Sequence, residues 1–410
     1  MANTLTNTDV YTIINAMSEQ MYGDAALQAI DATTFATVGE NMLRTGYEST
    51  LNALSTVIGQ SLMAIRPYRA KFNVIMADNM RFGQILRKIS YFSTKFEASE
   101  DWNTDLNAEQ LKDGSAIDHY KIKKQYPLEI NFCGNKVLQT HVTRFRKALK
   151  QAFHSESDFA AFYEGLAVQV QNDIETKREA EARLLLLNHI AAVYNGTNAN
   201  MKVNLTKGFN DENGTTYTTA ELLGAHYSDF LAYFVGKVKK ISRLMEERNT
   251  LFHLTPSKTD DTGAKLILNR HTPRELQKLV LNENMIIDAE TKVLPAVFND
   301  EYLKLGNYEG TMYWQNPTEP FKINIKPNTI DLKTGQSADA KAAVVMNNVV
   351  GVLFDRDALN LNIHAEDVIT TPVNAAGDYY NIYYHWAKNY NDDLTENSVI
   401  FYMEDETVSP

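Results

Sequence analysis

The chain has 410 residues, of which 44% are hydrophobic and 22% charged, and its net charge is −11. This composition is typical of roughly two or three globular packing units and excludes a disordered tail, while the acidic balance disfavours a dedicated nucleic-acid binder. Cys133 is the only cysteine, which excludes an internal disulfide framework and a multi-cysteine metal site.

No targeting segment is visible in the sequence. The first ten residues are polar and carry neither a basic region nor an apolar core, so no signal peptide is evident. No apolar run approaches the ~18 residues that a membrane span needs. We therefore expect a soluble protein that makes no membrane contact and stays in the reducing cytoplasm of the cell that translates it.

Two amphipathic helices are predicted near the start of the chain, at residues 9–21 and 34–62, with a turn at 23–32 between them. Their apolar faces need a partner to cover them. We expect an arm that packs either on other subunits or on the rest of its own chain.

Strand-forming sequence follows at residues 84–98 and again at 119–145, where Pro127 and Gly134 interrupt it. The strands are basic, and the polar tip between them, at 100–118, is acidic. This pattern predicts a long two-stranded hairpin. Because an isolated hairpin is marginally stable and presents unpaired edges, we expect it to lie on a neighbouring molecule. The alternative is a hairpin folded back on its own domain.

A single long helix is predicted at residues 155–194, which contain no proline and carry apolar residues at helical spacing. Ser155 and Asp158 offer a capping pair at its start, and Asn195-Gly196 supplies a left-handed stop at its end. Its middle is so polar that both flanks must be solvated or paired with charged neighbours. The alternatives are a coiled-coil arm or two helices broken near Gly165.

The rest of the chain alternates short strands and helices, which is typical of an α+β unit. The predicted elements are a turn-rich bridge at 195–216, a helix at 219–249, a strand at 265–269, a helix at 273–284, strands at 292–297, 310–314 and 321–325, a buried strand or strand pair at 342–354, and aromatic strands at 379–403 with a turn at 389–397.

The sequence contains few candidates for catalysis. It has no nucleophile elbow, phosphate loop, dinucleotide glycine motif or zinc-binding His-Glu-x-x-His pair. The weak candidates are Asp355 with Asp357, His364 with Glu366 and Asp367, a calcium-loop-like run at Asn389, Asn391 and Asp393, and Cys133 with His119 or His141. For each of them we favour a structural explanation, so no catalytic residue, cofactor or metal site is predicted.

Several segments occur in a characteristic order. They are residues 53–58 running into Arg66-Pro67-Tyr68, residues 131–134 followed by 143–153, residues 350–359 followed by 367–374, and Tyr384-His385-Trp386 before the last strand. Together they resemble the major capsid protein of tailed bacteriophages, whose fold is shared by encapsulin shells and the herpesvirus capsid floor. The run at 350–374 is most similar to phages of the phi-twenty-nine kind and related gut phages.

The resemblance implies an α+β subunit of four parts. These are a helical amino-terminal arm at 1–65, an extended loop with flanking strands at 66–150, a peripheral domain with the long spine helix at 151–216 plus 368–410, and an axial domain at 217–367.

The resemblance also implies a function. We expect a non-enzymatic subunit of an icosahedral or prolate phage head that self-assembles into pentamers and hexamers and encloses double-stranded DNA. Its partners would be copies of itself, scaffolding and portal proteins, and DNA bound non-specifically, with assembly in the host cytoplasm and residence in the virion. The alternatives are an encapsulin-like nanocompartment shell and an intracellular α+β enzyme using Asp355 and Asp357.

Two sets of residues are predicted to contact partners in such a head. The candidates for contact between subunits are on the extended loop: Tyr91, Phe92, Phe96, Trp102, Lys121, Lys123 and Lys124. The candidates that face DNA are on the spine helix: Lys177, Arg178 and Arg183.

Overall fold

A computed structural model describes residues 7–23, 26–46, 49, 50, 53, 70–76, 86–93, 120, 122, 124–132, 136–145, 156–260, 263, 265–285, 287, 308–327 and 342–405. The predicted acidic tip at 100–118 and the predicted strand at 292–297 lie outside the described residues. Among those described, no helix combines the length and the apolarity that crossing a bilayer requires.

The described helices are α1 (Asn7–Tyr22), α2 (Ala32–Thr45), α3 (Glu156–Asn195), α4 (Leu205–Asn213), α5 (Thr219–Leu223) and α6 (Tyr227–Glu246), with short 3-10 turns at Ala199–Met201 and Arg274–Leu276. The described strands are β1 (Leu86–Tyr91), β2 (Pro127–Phe132), β3 (Lys136–Phe145), β4 (Lys202–Asn204), β5 (Gln277–Asn282), β6 (Tyr308–Thr311), β7 (Ile323–Ile325), β8 (Val344–Met346), β9 (Val349–Asp355), β10 (Leu359–Thr370), β11 (Tyr379–Asp392) and β12 (Ser398–Tyr402).

The chain forms two compact units, each built from separated segments. The first unit comprises Met1–Gln84, Cys133–Leu186 and Leu359–Asn391. The second comprises Ile85–Phe132, Leu187–Ala358 and Asp392–Pro410. The first part of α3 thus belongs to the first unit, and its last turns belong to the second.

A three-stranded sheet of order β10-β11-β3 lies in the first unit. β11 and β3 are antiparallel, with Tyr379 opposite Phe145 and Lys388 opposite Lys136. Along β11 the side chains alternate, and those facing the core are aromatic or aliphatic: Tyr380, Ile382, Tyr384 and Trp386. This alternation of buried and half-buried residues confirms the aromatic strand predicted after residue 379.

The prediction of one long helix at residues 155–194 is confirmed by α3, which has 40 residues. Ser155 of the predicted capping pair lies outside the described residues, and the prediction of a left-handed stop is wrong, because Gly196 does not have a positive φ. Its polar middle is matched by polar groups of the first unit. Oε2 of Glu175 accepts a hydrogen bond of 3.1 Å from the backbone N–H of Ala70, and Glu181 forms an ion pair with Lys388 of β11. Several of the charged groups in this segment therefore have partners within their own chain.

The helix predicted at residues 9–21 is confirmed by α1. α2 starts at a capping box formed by Asp31 and Thr34, and the ring of Phe35 packs edge-on against Phe159 of α3 at 5.7 Å. α2 therefore packs on its own chain, one of the two expected alternatives. The prediction of a continuous helix at 34–62 is wrong, because Gly46 adopts an extended backbone that ends α2.

The second unit is built on a five-stranded sheet of order β4-β12-β9-β5-β6. All seven residues of β9 are buried, which confirms a buried strand within the strand or strand pair predicted at 342–354. β9 pairs antiparallel with both β12 and β5, while the outer pairs are parallel. The apolar side of α6 completes the core with Phe230, Phe234, Val238, Leu279, Leu353 and Phe401.

Four local predictions in this unit are wrong. The helix predicted at 273–284 is a 3-10 turn followed by β5, because Leu279, Val280 and Leu281 are all buried in a strand between β9 and β6. The strand predicted at 265–269 consists of isolated bridges. The remaining two misread helical segments, as the next paragraph describes.

The helix predicted at 219–249 is divided in two. α5 ends at Gly224, whose N–H bonds the carbonyl of Glu221, and α6 starts at Tyr227. The bridge predicted at 195–216 contains α4, which is capped by Asn204 and ends at Gly214 in the left-handed conformation. The hydrophobic pattern therefore does not reveal short, well-capped helices in which polar residues dominate.

Candidate functional site: the polar turn and the hairpin base

The hairpin predicted between residues 84 and 145 is formed by β1 and β2. They are antiparallel, with Leu86 opposite Phe132 and Tyr91 opposite Pro127. β3, which was expected to continue the outbound strand, pairs instead with β11. The described part of the hairpin is therefore its base.

One side of this base is exposed. Ile89 and Tyr91 are 49% and 61% exposed. Beside them, the guanidinium of Arg87 binds Glu129 through two contacts of 2.9 Å, and this pair is itself exposed. The hydrogen bond from Arg87 lowers the pKa of Glu129. The exposed side is thus apolar with an ion pair at one end.

The predicted contact residues on the extended loop fall into three groups. Tyr91 is exposed, and Lys124 is also exposed. Phe92 is buried, with its backbone N–H bonded to the carbonyl of Tyr126 at 3.1 Å. The others, Phe96, Trp102, Lys121 and Lys123, lie outside the described residues.

The other side of the hairpin base is bound to the segment between β11 and β12. We call residues 392–398 the polar turn. It contains five buried polar side chains: Asp393, Thr395, Glu396, Asn397 and Ser398. Buried polar groups of this kind are stable only with hydrogen-bonding partners.

Lys88 of β1 supplies one partner. Its Nζ forms ion pairs with the carboxylates of both Asp393 and Glu396. The Asp393 side chain is only 2% exposed, and its other oxygen accepts hydrogen bonds from the N–H and hydroxyl of Thr395 at 2.8 and 2.7 Å. The turn is therefore held internally and from the hairpin.

Arg270 supplies a second cation. Its Nη2 lies 3.3 Å from Oε1 of Glu396 and donates to Oγ of Ser90 at 2.9 Å, and its Nε donates to the carbonyl of Thr395 at 3.0 Å. Burial raises the pKa of Glu396 even though Lys88 and Arg270 oppose the shift. Two cations and two anions thus balance in a poorly solvated cluster.

His189 of α3 connects to both ends of the polar turn. Its Nδ1 donates to Oδ1 of Asp392 at 2.7 Å, and its Nε2 accepts from the hydroxyl of Ser398 at 2.6 Å. Asn188 donates to the second oxygen of Asp392 at 2.6 Å. The connectivity is that of a serine hydrolase triad, but Ser398 and His189 are fully buried, so no substrate reaches the hydroxyl.

The acid pair of the enzyme alternative is also structural. Asp355 is buried; its Oδ2 accepts from the hydroxyl of Thr272 at 2.6 Å and its Oδ1 accepts from the backbone N–H of Asp357 at 2.8 Å. No group of three or more His, Cys, Asp or Glu side chains in the described part of the chain is arranged to hold a metal ion.

The sequence carries one signal for this site. Acidic and amide residues at 391–397 interrupt an aromatic, strand-forming segment. Lys88 lies in the strand-forming segment at 84–98 and His189 in the long helix. Neither residue's partner is close in sequence.

The two arginines predicted to face DNA are bound within the first unit. Arg178 pairs with Glu175 at 2.8 Å and donates to the carbonyl of Ile363 at 2.8 Å. The guanidinium of Arg183 lies 5.1 Å from the ring centroid of Phe72, and its side chain is 12% exposed. Both guanidinium groups are therefore bound to groups of their own chain.

Lys177 differs from them. It pairs with Glu181 at 2.9 Å one helical turn away, and 49% of its side chain is exposed. Contact with DNA stays a prediction for all three residues, and Lys177 is the most accessible of them.

Comparison with known proteins identifies the family. A family model described as Phi29-like phage major capsid protein matches residues 11–402. A chain from the capsid structure of Staphylococcus phage Andhra is similar with a TM-score of 0.51 at 9% identity, covering 83% of this chain and 86% of that one. A chain from the structure of the head fiber and inner core protein gp22 of native bacteriophage P68 has a TM-score of 0.51 at 10% identity, with the same coverage of 83% and 86%.

No curated protein matches the chain. The similarity to the two solved structures shows the fold, while the family model covers nearly the whole sequence. The chain therefore belongs to the Phi29-like phage major capsid proteins. It is a structural subunit of a phage capsid, and so of the virion, and it is not an enzyme.

Proposed function

We propose that this capsid subunit assembles with copies of itself into pentamers and hexamers of an icosahedral or prolate head that encloses double-stranded DNA. The match of the family model to residues 11–402 carries the proposal. Rings of this kind use heterologous contacts, in which one surface of a subunit meets a different surface of the next. Many such weak contacts add up to a stable shell through multivalency.

The hairpin is the part of the subunit that we propose to contact a neighbour. The exposure of Ile89 and Tyr91 supports this, because exposed apolar side chains grouped on one face are typical of interaction sites. The predicted contact residues beyond Ser93 belong to the same proposal. We also propose the four-part division of the subunit and its assembly in the host cytoplasm.

Contact with packaged DNA is proposed at Lys177, with Arg178 and Arg183 as further candidates. An exposed amine binds phosphate without reading sequence, and each phosphate contact steepens the salt dependence of binding. Lys177→Gln should therefore reduce the slope of log affinity against log salt by about 1 for a DNA duplex. Lys240→Gln, which changes an exposed lysine on α6, is the control. Equal slopes for both variants would remove Lys177 from the proposal.

Scaffolding and portal proteins are proposed as further partners. This part rests on the resemblance of the sequence to tailed-phage capsid proteins. Co-expression with each protein encoded beside the capsid gene would test it. A rise in the fraction of closed, uniform particles is expected, and uniform particles from the subunit alone would remove the need for a scaffold.

The main proposal is tested by expressing the full chain and examining it by size-exclusion chromatography and negative-stain electron microscopy. We expect capsomers or shells of megadalton size. A monodisperse small oligomer at all concentrations would overturn the proposal. Nuclease treatment of particles from infected cells distinguishes a genome-containing head, which protects DNA, from a nanocompartment, which encloses protein.

A further inference from the structure

We propose that Lys88, bound to Asp393 and Glu396, sets the direction of the hairpin in the free subunit, so that the hairpin is already oriented for contact with a second copy of this chain. The identity of that partner rests on the proposed function. The orientation of the hairpin does not, because it is argued from contacts within the second unit.

The first observation is that the acceptors of Lys88 belong to a rigid element. The backbone N–H of Asp393 donates to the carbonyl of Ala358 at 2.8 Å, and the carbonyl of Leu394 accepts from the N–H of Leu254 at 2.8 Å. The polar turn is therefore fixed to the core of the unit on more than one side. A lysine that binds two carboxylates of such a turn is held at a defined position.

The second observation is that three positions along the hairpin's inbound strand are attached, not one. Lys88 binds the polar turn, Ser90 accepts from Arg270, and the N–H of Ser93 donates to the carbonyl of Ile267 at 2.8 Å. Oγ of Ser93 also accepts from Asn269 at 2.8 Å. At a rise of about 3.3 Å per residue, positions 88 and 93 are about 17 Å apart. Attachment over that length restrains the tilt of the strand as well as its position.

The third observation is the contrast between the two cations that neighbour each other on β1. Arg87 points to the exposed side and pairs with Glu129 of β2, which is part of the hairpin itself. Lys88 points to the inner side and pairs with residues outside the hairpin. Of these two cations, Lys88 is the one whose ion pairs join the hairpin to the rest of the unit, so its loss should affect the orientation of the hairpin more than the loss of Arg87.

Orientation before binding has a physical consequence for assembly. A hairpin ordered only by its neighbour loses conformational entropy at the moment of association, which weakens every contact in the shell. A hairpin already held by Lys88 has lost that entropy on folding. The ion pairs would thus favour assembly without touching the neighbour.

Hydrogen–deuterium exchange on the free, full-length subunit tests the proposal. Lys88→Met should raise exchange at 86–93 and 126–132 by about tenfold or more, while 277–282 and 349–355 in the central sheet keep their protection. Lys88→Arg keeps the charge and should exchange like the wild type. Arg87→Met is the matched control, and we expect less than a twofold change from it, roughly what loss of an exposed ion pair produces.

Several results would overturn the proposal. If residues 86–93 and 126–132 of the wild-type subunit exchange at unprotected rates, the hairpin is not oriented in the free subunit. Unchanged exchange in Lys88→Met would show that the ion pairs do not hold it. Loss of protection in the central sheet as well would show that Lys88 stabilises the whole unit and has no specific effect on the hairpin.

The link to assembly has its own readout. If shells form, Lys88→Met should form them more slowly than Arg87→Met at equal concentration, and equal rates would overturn the link to a second copy. If the wild type forms no shells, the proposed function fails, and the exchange results on the free subunit still decide the orientation of the hairpin.

Discussion

Nδ1 of His189 lies 2.7 Å from Oδ1 of Asp392, in a part of the second unit where the imidazole has no exposed surface. The pair joins the last turns of α3 to the start of the polar turn, and Ser398 completes it at the other end. A nucleophile, a base and an acid are thus connected as in a hydrolase, yet the hydroxyl is buried. The arrangement serves to hold three elements together.

The first prediction concerns His189. His189→Ala removes two hydrogen bonds and leaves Oδ1 of Asp392 and the hydroxyl of Ser398 without the imidazole, which should lower the free energy of unfolding by about 3 kcal/mol. Urea unfolding of the full-length subunit measures this. His271→Ala, at an exposed position, should change the value by less than about 0.5 kcal/mol.

The same site gives a check on chemistry. Neither the wild type nor Ser398→Ala should hydrolyse a nitrophenyl ester faster than the background rate. Ester hydrolysis that disappears in Ser398→Ala would mean that the hydroxyl is reached by substrate, against the buried geometry.

The second prediction concerns the ion pair between Glu181 and Lys388. Both side chains are largely buried, and in Lys388→Met the carboxylate of Glu181 keeps only its ion pair with the half-exposed Lys177. We therefore expect the free energy of unfolding to fall by about 3 kcal/mol. Lys240→Met, which breaks an exposed pair with Glu212, is the control and should cost less than about 1 kcal/mol.

The third prediction is the pH dependence of this pair. Burial raises the pKa of Glu181, but the hydrogen bonds from Lys388 and Lys177 outweigh burial, and the net pKa is below its ordinary value of 4.5. The contribution of Glu181 to stability is therefore complete above pH 4.5 and is lost as the pH falls through the lowered pKa. The difference in unfolding free energy between wild type and Glu181→Gln should shrink over that acidic window. A difference that stays constant with pH would contradict the assignment.

The fourth prediction compares two glycines. A Cβ at Gly351 of β9 would lie 2.3 Å from Cδ2 of Leu281 and 2.7 Å from the carbonyl oxygen of Val280, so Gly351→Ala should destabilise the subunit by about 1 to 3 kcal/mol. Gly236 lies within α6 and has nothing within 4 Å of such a Cβ. Gly236→Ala should stabilise by up to about 1 kcal/mol, because alanine favours helix. Thermal unfolding measures both variants, and we expect their melting temperatures to shift in opposite directions from that of the wild type.

The fifth prediction concerns the continuity of α3. Ala180 is exposed, so Ala180→Pro removes no side-chain packing, but it breaks a backbone hydrogen bond and introduces a clash costing about 3 kcal/mol or more. We expect no shells from this variant by electron microscopy. Ala180→Gly should cost only about 1 kcal/mol and still assemble. Normal particles from the proline variant would contradict a structural role for the unbroken helix.

Much of the fold could be predicted because the relevant signals are local. The helical spacing of α3, the apolar run of β9 and the alternating aromatic residues of β11 each reflect one element facing one core. The pattern failed at β5, where a short apolar run is compatible with either a buried helix or a buried strand. Pairing with β9 and β6, which no local pattern contains, makes it a strand.

The polar turn could not be predicted from the sequence. Residues such as Asp393 and Glu396 are normally exposed, and a run of them indicates a solvated loop. They are buried here because their partners come from far along the chain: Lys88 is 305 residues from Asp393, and His189 is 203 residues from Asp392. Local sequence patterns thus predict much of the secondary structure, and their order along the chain indicates the family. Which charges are buried together depends on long-range packing, because only the folded chain supplies the cation that makes a buried carboxylate stable.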